Sequence, residues 1–287
     1  MAKNSQYRRY TRSKAGNVGY FTILILIGLF TVFPLFYCLI TSFKPLDELL
    51  IFPPKFYVSR PTIGNYTALP ALLSNLTIPI SRYLFNSVLI TIISTFFTII
   101  SCSLAAFTFS KSRVKGRKML FTIVQMMMLY NGVTLSVPQY LIFSNLGMID
   151  TYWVYILPTI PSAVNCFLMK QFMDSGINDS LLEAARIDGA GVLSMYWKIV
   201  MPIMKPAWMT VLLFSFQSMW STVPGGTIFS EELKTLPYVM SSVAAGGIAR
   251  SGSSMAITVL LMLPPIIVFL FTQSNVMETM GSSGIKG

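Results

Sequence analysis

The sequence predicts an all-α, polytopic membrane protein with six transmembrane helices, both termini cytoplasmic, and a short cytoplasmic helix between spans four and five. Three observations predict it. Hydrophobic residues make up 54% of the 287 and charged residues only 11%, with a mean hydropathy of +0.65, whereas a soluble domain carries about 25% charged residues. Mostly apolar runs of roughly twenty residues recur, each long enough to cross a hydrocarbon layer of about 30 Å as a helix. The basic residues behind the net charge of +11 collect at the ends of these runs, as topology signals do, and form no patch suited to nucleic acid.

The first run, about 18–41, "VGYFTILILIGLFTVFPLFYCLIT", follows Lys3, Arg8, Arg9, Arg12 and Lys14. It is longer than the apolar core of a signal peptide, about 7–15 residues, and no small-x-small cleavage site follows it, so it reads as a retained span. Further runs fall at about 83–109, 119–142, 151–172, 203–224 and 255–273. The third contains "YNGVTLSVP", where Asn131, Gly132 and Pro138 predict a kink or a broken helix. In the sixth, Pro264–Pro265 predict a bend.

Orientation follows from the loops. The N-terminal tail carries five basic residues and no acid, and "SKSRVKGRK" at 110–118 carries five basic residues in nine. The connection between spans three and four carries only Asp150. Both basic segments lie on one side, which is therefore cytoplasmic. The 42–82 loop, with four basic residues, is then external, and 173–202 is cytoplasmic. The expected organisation is a cytoplasmic tail (1–17), the first helix with its external loop (18–82), a five-helix core (83–280) and a cytoplasmic tail (281–287).

Residues 178–206, "NDSLLEAARIDGAGVLSMYWKIVMPIMKP", form the long polar break in the second half. Ser180 and Glu183 have capping-box spacing. Leu181, Leu182, Ala185 and Ala184 form an apolar face opposite Glu183, Arg186 and Asp188, and Gly189 or Gly191 can close the helix with a positive φ. The helix would run for about ten residues, or about 15 Å. It could lie on the bilayer surface, but such helices carry Lys and Arg on the polar face, and this one sets Asp179, Glu183 and Asp188 against Arg186 alone. A small-faced, mixed-charge helix also suits a groove on another protein. From the residues alone both readings stand.

Glu183-Ala184-Ala185, three residues, Gly189, nine residues, Ile199, one residue, then Met201-Pro202 resembles the EAA loop of permease subunits in binding-protein-dependent ABC importers. Met201 stands where that motif has Leu. "FPLFYCLITSFK", "FPPKFYVSRPTIGNYTAL", "FNSVLIT", "LAAFTFSKSRVKGRKMLF", "VPQYLIFSNLGMIDTYWVYILP" and the tail "GSSGIKG" extend the resemblance, over essentially the whole chain, to the second, maltose-type permease of sugar importers. The resemblance implies a bacterial cytoplasmic-membrane protein working with a second permease, two cytoplasmic ATPase subunits that bind ATP and Mg, and an extracytoplasmic binding protein. The EAA helix would be a coupling helix seated in a cleft of the ATPase. Glu183 would anchor it through its cap and its ATPase contacts, Ala184 and Ala185 would allow close approach, Gly189 would make the turn, and Ile199 and Pro202 would direct the chain into span five. As a capping residue alone, Glu183 would need no partner. The 222–254 segment would reach toward the binding protein, against the plainer reading of a mobile connector.

The chain itself carries no nucleotide chemistry. No stretch matches G-x-x-x-x-G-K-[ST], so no cofactor is expected here and hydrolysis belongs to another polypeptide. There is no histidine, and Cys38, Cys102 and Cys166 all fall in apolar segments, where they read as small buried hydrophobes and neither a metal site nor a disulfide. None of the ten acids sits mid-span, which argues against a proton- or ion-coupled carrier. Aromatics beside amides and hydroxyls suit carbohydrate, and the candidates are Tyr130, Asn131, Gln139 and Tyr140 in span three and Gln217, Trp220 and Ser221 in span five. Each could equally be an interfacial anchor or a helix–helix bridge. An ABC permease for a non-sugar solute and an ATP-independent secondary carrier are the alternatives.

Overall fold

The computed structural model describes residues 14–72, 78–112, 114–130, 132–223 and 225–283. These form helices and connections, with no strand among the described residues. Asn131 and the basic residues of the N-terminal tail before Lys14 lie outside them.

Helix α1, Lys14–Ser42, stands free along most of its length and buries only Thr41 and Ser42 at its end. Short helices α2, Leu46–Leu49, α3, Gly64–Thr67, and α4, Leu69–Leu72, follow. They tie that end down: the Asn65 amide donates to the carbonyls of Ser42 (2.8 Å) and Lys44 (2.7 Å), and Glu48 accepts from the Ser59 N–H at 2.8 Å. Helix α5, Ile80–Lys111, buries a run of small polar side chains that includes Ser87, Thr91, Ser94, Thr98 and Ser103. In a membrane, small residues bring helices close where the hydrophobic effect gives no preference.

Span three is two helices, α6, Arg117–Met127, and α7, Gly132–Asn145, as the "YNG" break leads one to expect. Span four, read as one run, is also divided. Helix α8, Trp153–Ile156, runs into a 3-10 turn, Leu157–Thr159, before α9 begins, Ala163–Gly176. Pro158 and Pro161 remove N–H groups there. Carbonyls within the break are taken up by α5, where Thr98 donates to Thr159 (3.0 Å) and Ser101 to Ile160 (2.9 Å).

After α9 come helix α10, Asp179–Ile187, then α11, Val192–Met195, a π-turn, Tyr196–Val200, and α12, Met201–Ile203. Helix α13, Lys205–Trp220, leaves at 80° to the segment Val192–Ile203. Pro206 explains the bend, because its ring removes the bond to the Pro202 carbonyl and crowds it. The Trp208 indole N–H takes up the neighbouring Met201 carbonyl at 3.2 Å. The 222–254 segment is not a loose connector. Its helix α14, Leu236–Ala244, buries Leu236, Val239 and Val243 in a cluster with Tyr83, Trp220 and Ile257. The last helix, α15, Ser251–Ser283, passes Pro264 and Pro265 without interruption.

Among the described residues, α1, α5 and α15 are each long and apolar enough to cross a membrane, and the bent pair ending in α13 is a fourth such unit. The two ends of α5 identify two faces of the bundle. At its start, Asn86 donates to the carbonyls of Glu232 (2.7 Å) and Lys234 (2.8 Å), and Tyr152 donates to Asn86 (2.8 Å). At its end, Lys111 reaches residues 177–179.

Candidate functional site

At the Lys111 end, α10 is built as a rigid, outward-facing peg. Its N-cap is Asn178, whose side chain accepts from the Ser180 N–H at 3.3 Å, and not Ser180 as the capping-box spacing predicts. The cap therefore lies two residues earlier and frees Glu183. Asp179 in the first turn and Arg186 in the last match the helix dipole. Gly189, at φ +81°, closes the helix. Its N–H donates to Arg186 and that of Ala190 to Ala185 (2.9 Å), the paired bonds of a Schellman motif.

The helix is held from one side. Leu182, 3% exposed, enters a cluster with Met169, Met173, Tyr196 and Val211, against which Ile199 also packs. The buried Lys111 ammonium donates to the Ile177 carbonyl (2.8 Å) and to Asp179 (2.7 Å). The bond and charge of Lys111 hold the Asp179 carboxyl below its ordinary pKa. In the same cluster, the Tyr196 and Ser103 hydroxyls share a buried 2.5 Å bond. Ile199 is thus partly buried, while Pro202 is exposed in the first turn of α12.

The other side is bare. Leu181, Ala184, Ile187 (86% exposed), Val192 and Leu193 are exposed, as is Glu183, to which no described residue gives a hydrogen bond or ion pair. The apolar face read as one stripe is in fact split. Leu182 and the partly buried Ala185 turn toward the bundle, whereas Leu181 and Ala184 turn away.

A second feature lies among the spans. Two cavities adjoin at Pro158, Thr159 and Met219. One, of about 400 Å³, is lined by Gln139, Tyr140, Tyr155, Thr222 and the Gly225–Gly226 turn. The other, of about 370 Å³, lies between α5, α9 and α13 and is lined by Thr98, Ser162, Asn165, Phe214, Ser215 and Ser218. Neither lining contains Asp, Glu, Lys or Arg. The Asn165 amide nitrogen donates to the Ser215 hydroxyl at 3.0 Å.

Of the sequence candidates for substrate, Gln139 and Tyr140 share the first cavity. Tyr130 is exposed at the end of α6, and Gln217 is exposed on α13 outside both linings. Trp220 is differently employed. It is 3% exposed, stacks on Phe216 with ring centroids 5.8 Å apart, and donates its indole N–H to the Leu261 carbonyl (2.8 Å). No face of it is left for a ligand, because the span's packing needs both its area and its polar atom. Asn165 and Ser218 were missed, although an Asn two residues from Ala163 in an otherwise apolar run, just after Pro158 and Pro161, is a visible signal.

No family model matches the chain. Among curated proteins, one named as an ABC transporter permease protein in Caldicellulosiruptor sp. (strain Rt8B.4) is 30% identical over 273 residues, covering 93% of this chain and 96% of that one. A polygalacturonan/rhamnogalacturonan transport system permease of Bacillus subtilis (strain 168) is 29% identical over 281 residues, covering 92% and 96%. The arabinooligosaccharides permease of the same organism is 28% identical over 267 residues, covering 92% and 93%. Among solved structures, a chain of a bacterial ABC transporter involved in import of the acidic polysaccharide alginate matches with a TM-score of 0.77 at 23% identity, covering 92% of this chain and 98% of that one. Helices long and apolar enough to cross a membrane, and near-full-length relatives of this kind, lead to one conclusion: the chain is a multi-pass membrane protein that belongs to the ABC transporter permease family.

Proposed function

We propose that this permease passes a sugar or oligosaccharide across the bacterial cytoplasmic membrane. In this reading an extracytoplasmic binding protein delivers the solute, a second permease completes a heterodimer, and two cytoplasmic ATPase subunits supply the energy with ATP and Mg. The sugar reading is supported by relatives named for arabinooligosaccharides, galactooligosaccharides and melibiose/raffinose/stachyose. The neutral, hydroxyl- and amide-bearing cavities agree with it.

The observation that carries the mechanism is the division of α10 into a buried face and a bare one. Leu182 and Lys111 fix the helix to α5, α9 and α13, while Glu183, Ala184 and Ile187 stand exposed among the described residues. A peg of this kind transmits displacement: an ATPase cleft that moves it moves the spans. Glu183 and Ala184 contact the ATPase in this reading, Gly189 makes the tight exit, and Ile199 and Pro202 pass motion into the 80° bend before α13. Six crossings with cytoplasmic termini follow if α6 with α7, and α8 with α9, each make one. The opposite placement of the two α5 ends supports that alternation. So do Lys111, Lys115, Arg117 and Lys118 on the α10 side.

The test is co-purification from native membranes. Wild type is expected to bring down a second permease and a vanadate-sensitive ATPase. Ala184→Trp, a change on the bare face, should lose the ATPase and keep the second permease. Transport in liposomes without any ATPase would replace this reading with a secondary carrier.

A further inference from the structure

We propose that the groove between α5, α9 and α13 is where this chain meets the sugar, and that it selects uncharged glycan chains over uronate-bearing ones. This deepens the sugar-importer reading and rests on it. The lining supplies what a neutral sugar offers partners for. Phe214 and Ser218 lie four residues apart on α13 and so share a face; both are exposed, an aromatic plane for the C–H face of a ring beside a hydroxyl for its edge. Across from them Asn165 is 7% exposed. Its nitrogen is fixed on Ser215, and its Oδ1 accepts no bond from the described residues, so the amide is set to accept from a sugar hydroxyl.

A carboxylate finds nothing comparable. Neither cavity is lined by a cation, and three cations elsewhere in the bundle are engaged. Lys234 donates to Glu231 (2.5 Å) and Tyr238 (2.9 Å), Lys170 to Asp174 (2.5 Å), and Arg82 to the Glu232 carbonyl (3.3 Å). A uronate entering the groove would give up water with no opposite charge to replace it. A hydroxymethyl group in the same position keeps its hydrogen bonds. Sites built to bond one group discriminate strongly against an analogue that leaves polar atoms unpaired.

The experiment uses the assembled importer in nanodiscs, with Ser218→Cys in a Cys38→Ser background, and reads the rate of maleimide labelling. The probes are trigalacturonate and its fully methyl-esterified form, equal in length and differing in charge. The ester is expected to slow labelling about tenfold and the free acid by less than about twofold. Equal or better protection by the free acid overturns the charge selection. If neither probe protects while the ATPase still co-purifies, the groove is not the contact and the proposal falls, with the importer reading intact. Loss of the ATPase from the wild-type preparation would instead overturn the importer reading itself. In the same background, Asn165→Lys should reverse the order of the two probes, and an unchanged order would overturn the charge argument.

Discussion

Lys111 shows at residue scale how α10, the element proposed to couple, is held. Its ammonium is buried at the end of α5 and divides its bonds between a carbonyl and a carboxylate of the α9–α10 junction. Hydrogen bonds to charged groups contribute about 1.5–3 kcal/mol when buried, and the exposed half of this pair, Asp179, contributes less. Lys111→Ala is therefore expected to lower transport roughly tenfold while the ATPase still co-purifies. The pair also sets a pH dependence. Because the Asp179 pKa is depressed in the fold, its contribution is complete above the ordinary carboxylate value, about 3.9, and is lost as pH falls through the depressed one. Limited proteolysis between α9 and α10 should rise over that acid range in wild type. In Asp179→Asn it should change little with pH. A second position is Gly252, where an added Cβ would stand 2.4 Å from the Asn65 amide oxygen. Asn65 cannot swing away without giving up its two carbonyls. Gly252→Ala should cost roughly 1–3 kcal/mol. Adding Asn65→Ala should recover part of the steric loss, a coupling measurable as non-additive thermal unfolding.

Among elements, the π-turn Tyr196–Val200 joins the α10–α11 segment to the spans, and its first residue makes a side-chain hydrogen bond to α5, from the Tyr196 hydroxyl to Ser103. Ser103→Ala strands the Tyr196 hydroxyl in an apolar cluster and should cost about 1–3 kcal/mol, whereas Tyr196→Phe leaves Ser103 its bond to the Ile100 carbonyl (3.0 Å) and should cost less. The double substitution leaves nothing unpaired and should cost less than the sum, which a double-mutant cycle would measure. The same element separates what sequence can reveal from what it cannot. The apolar runs, the "YNG" break, the Gly189 closure and the EAA spacing are local signals, each with a one-residue cause. The division of span four required knowing that hydroxyls of α5 take up the carbonyls around Pro158 and Pro161. The burial of Trp220 depends on a carbonyl 41 residues away. The cap moved from Ser180 to Asn178 because both side chains can serve and only the packed geometry chooses. Long-range partners decide such cases, and one sequence does not reveal them.

Across the whole molecule, the proposed reading puts docking and transmission on opposite faces of one helix, so they should separate experimentally. Leu182 lies 3% exposed in the cluster that joins α10 to α5, α9 and α13, and Ala184 faces out. Truncating a buried Leu costs about 2–5 kcal/mol, the spread depending on how well the site collapses. In Leu182→Ala the bare face is untouched, so the ATPase should co-purify near the wild-type level. The helix would then rock in a loosened socket, and part of each ATPase displacement would be absorbed before it reached the Tyr196 turn and the 80° bend at the head of α13. ATP hydrolysis would continue while transport fell, so the ratio of ATP hydrolysed to sugar moved should rise several-fold. Ala184→Trp should do the reverse: little ATPase in the eluate, with the remaining complexes keeping a near-normal ratio. If both variants lost the ATPase alike, the two faces would not be independent. The peg would then be a single docking surface, its packing against the spans serving only to keep it folded.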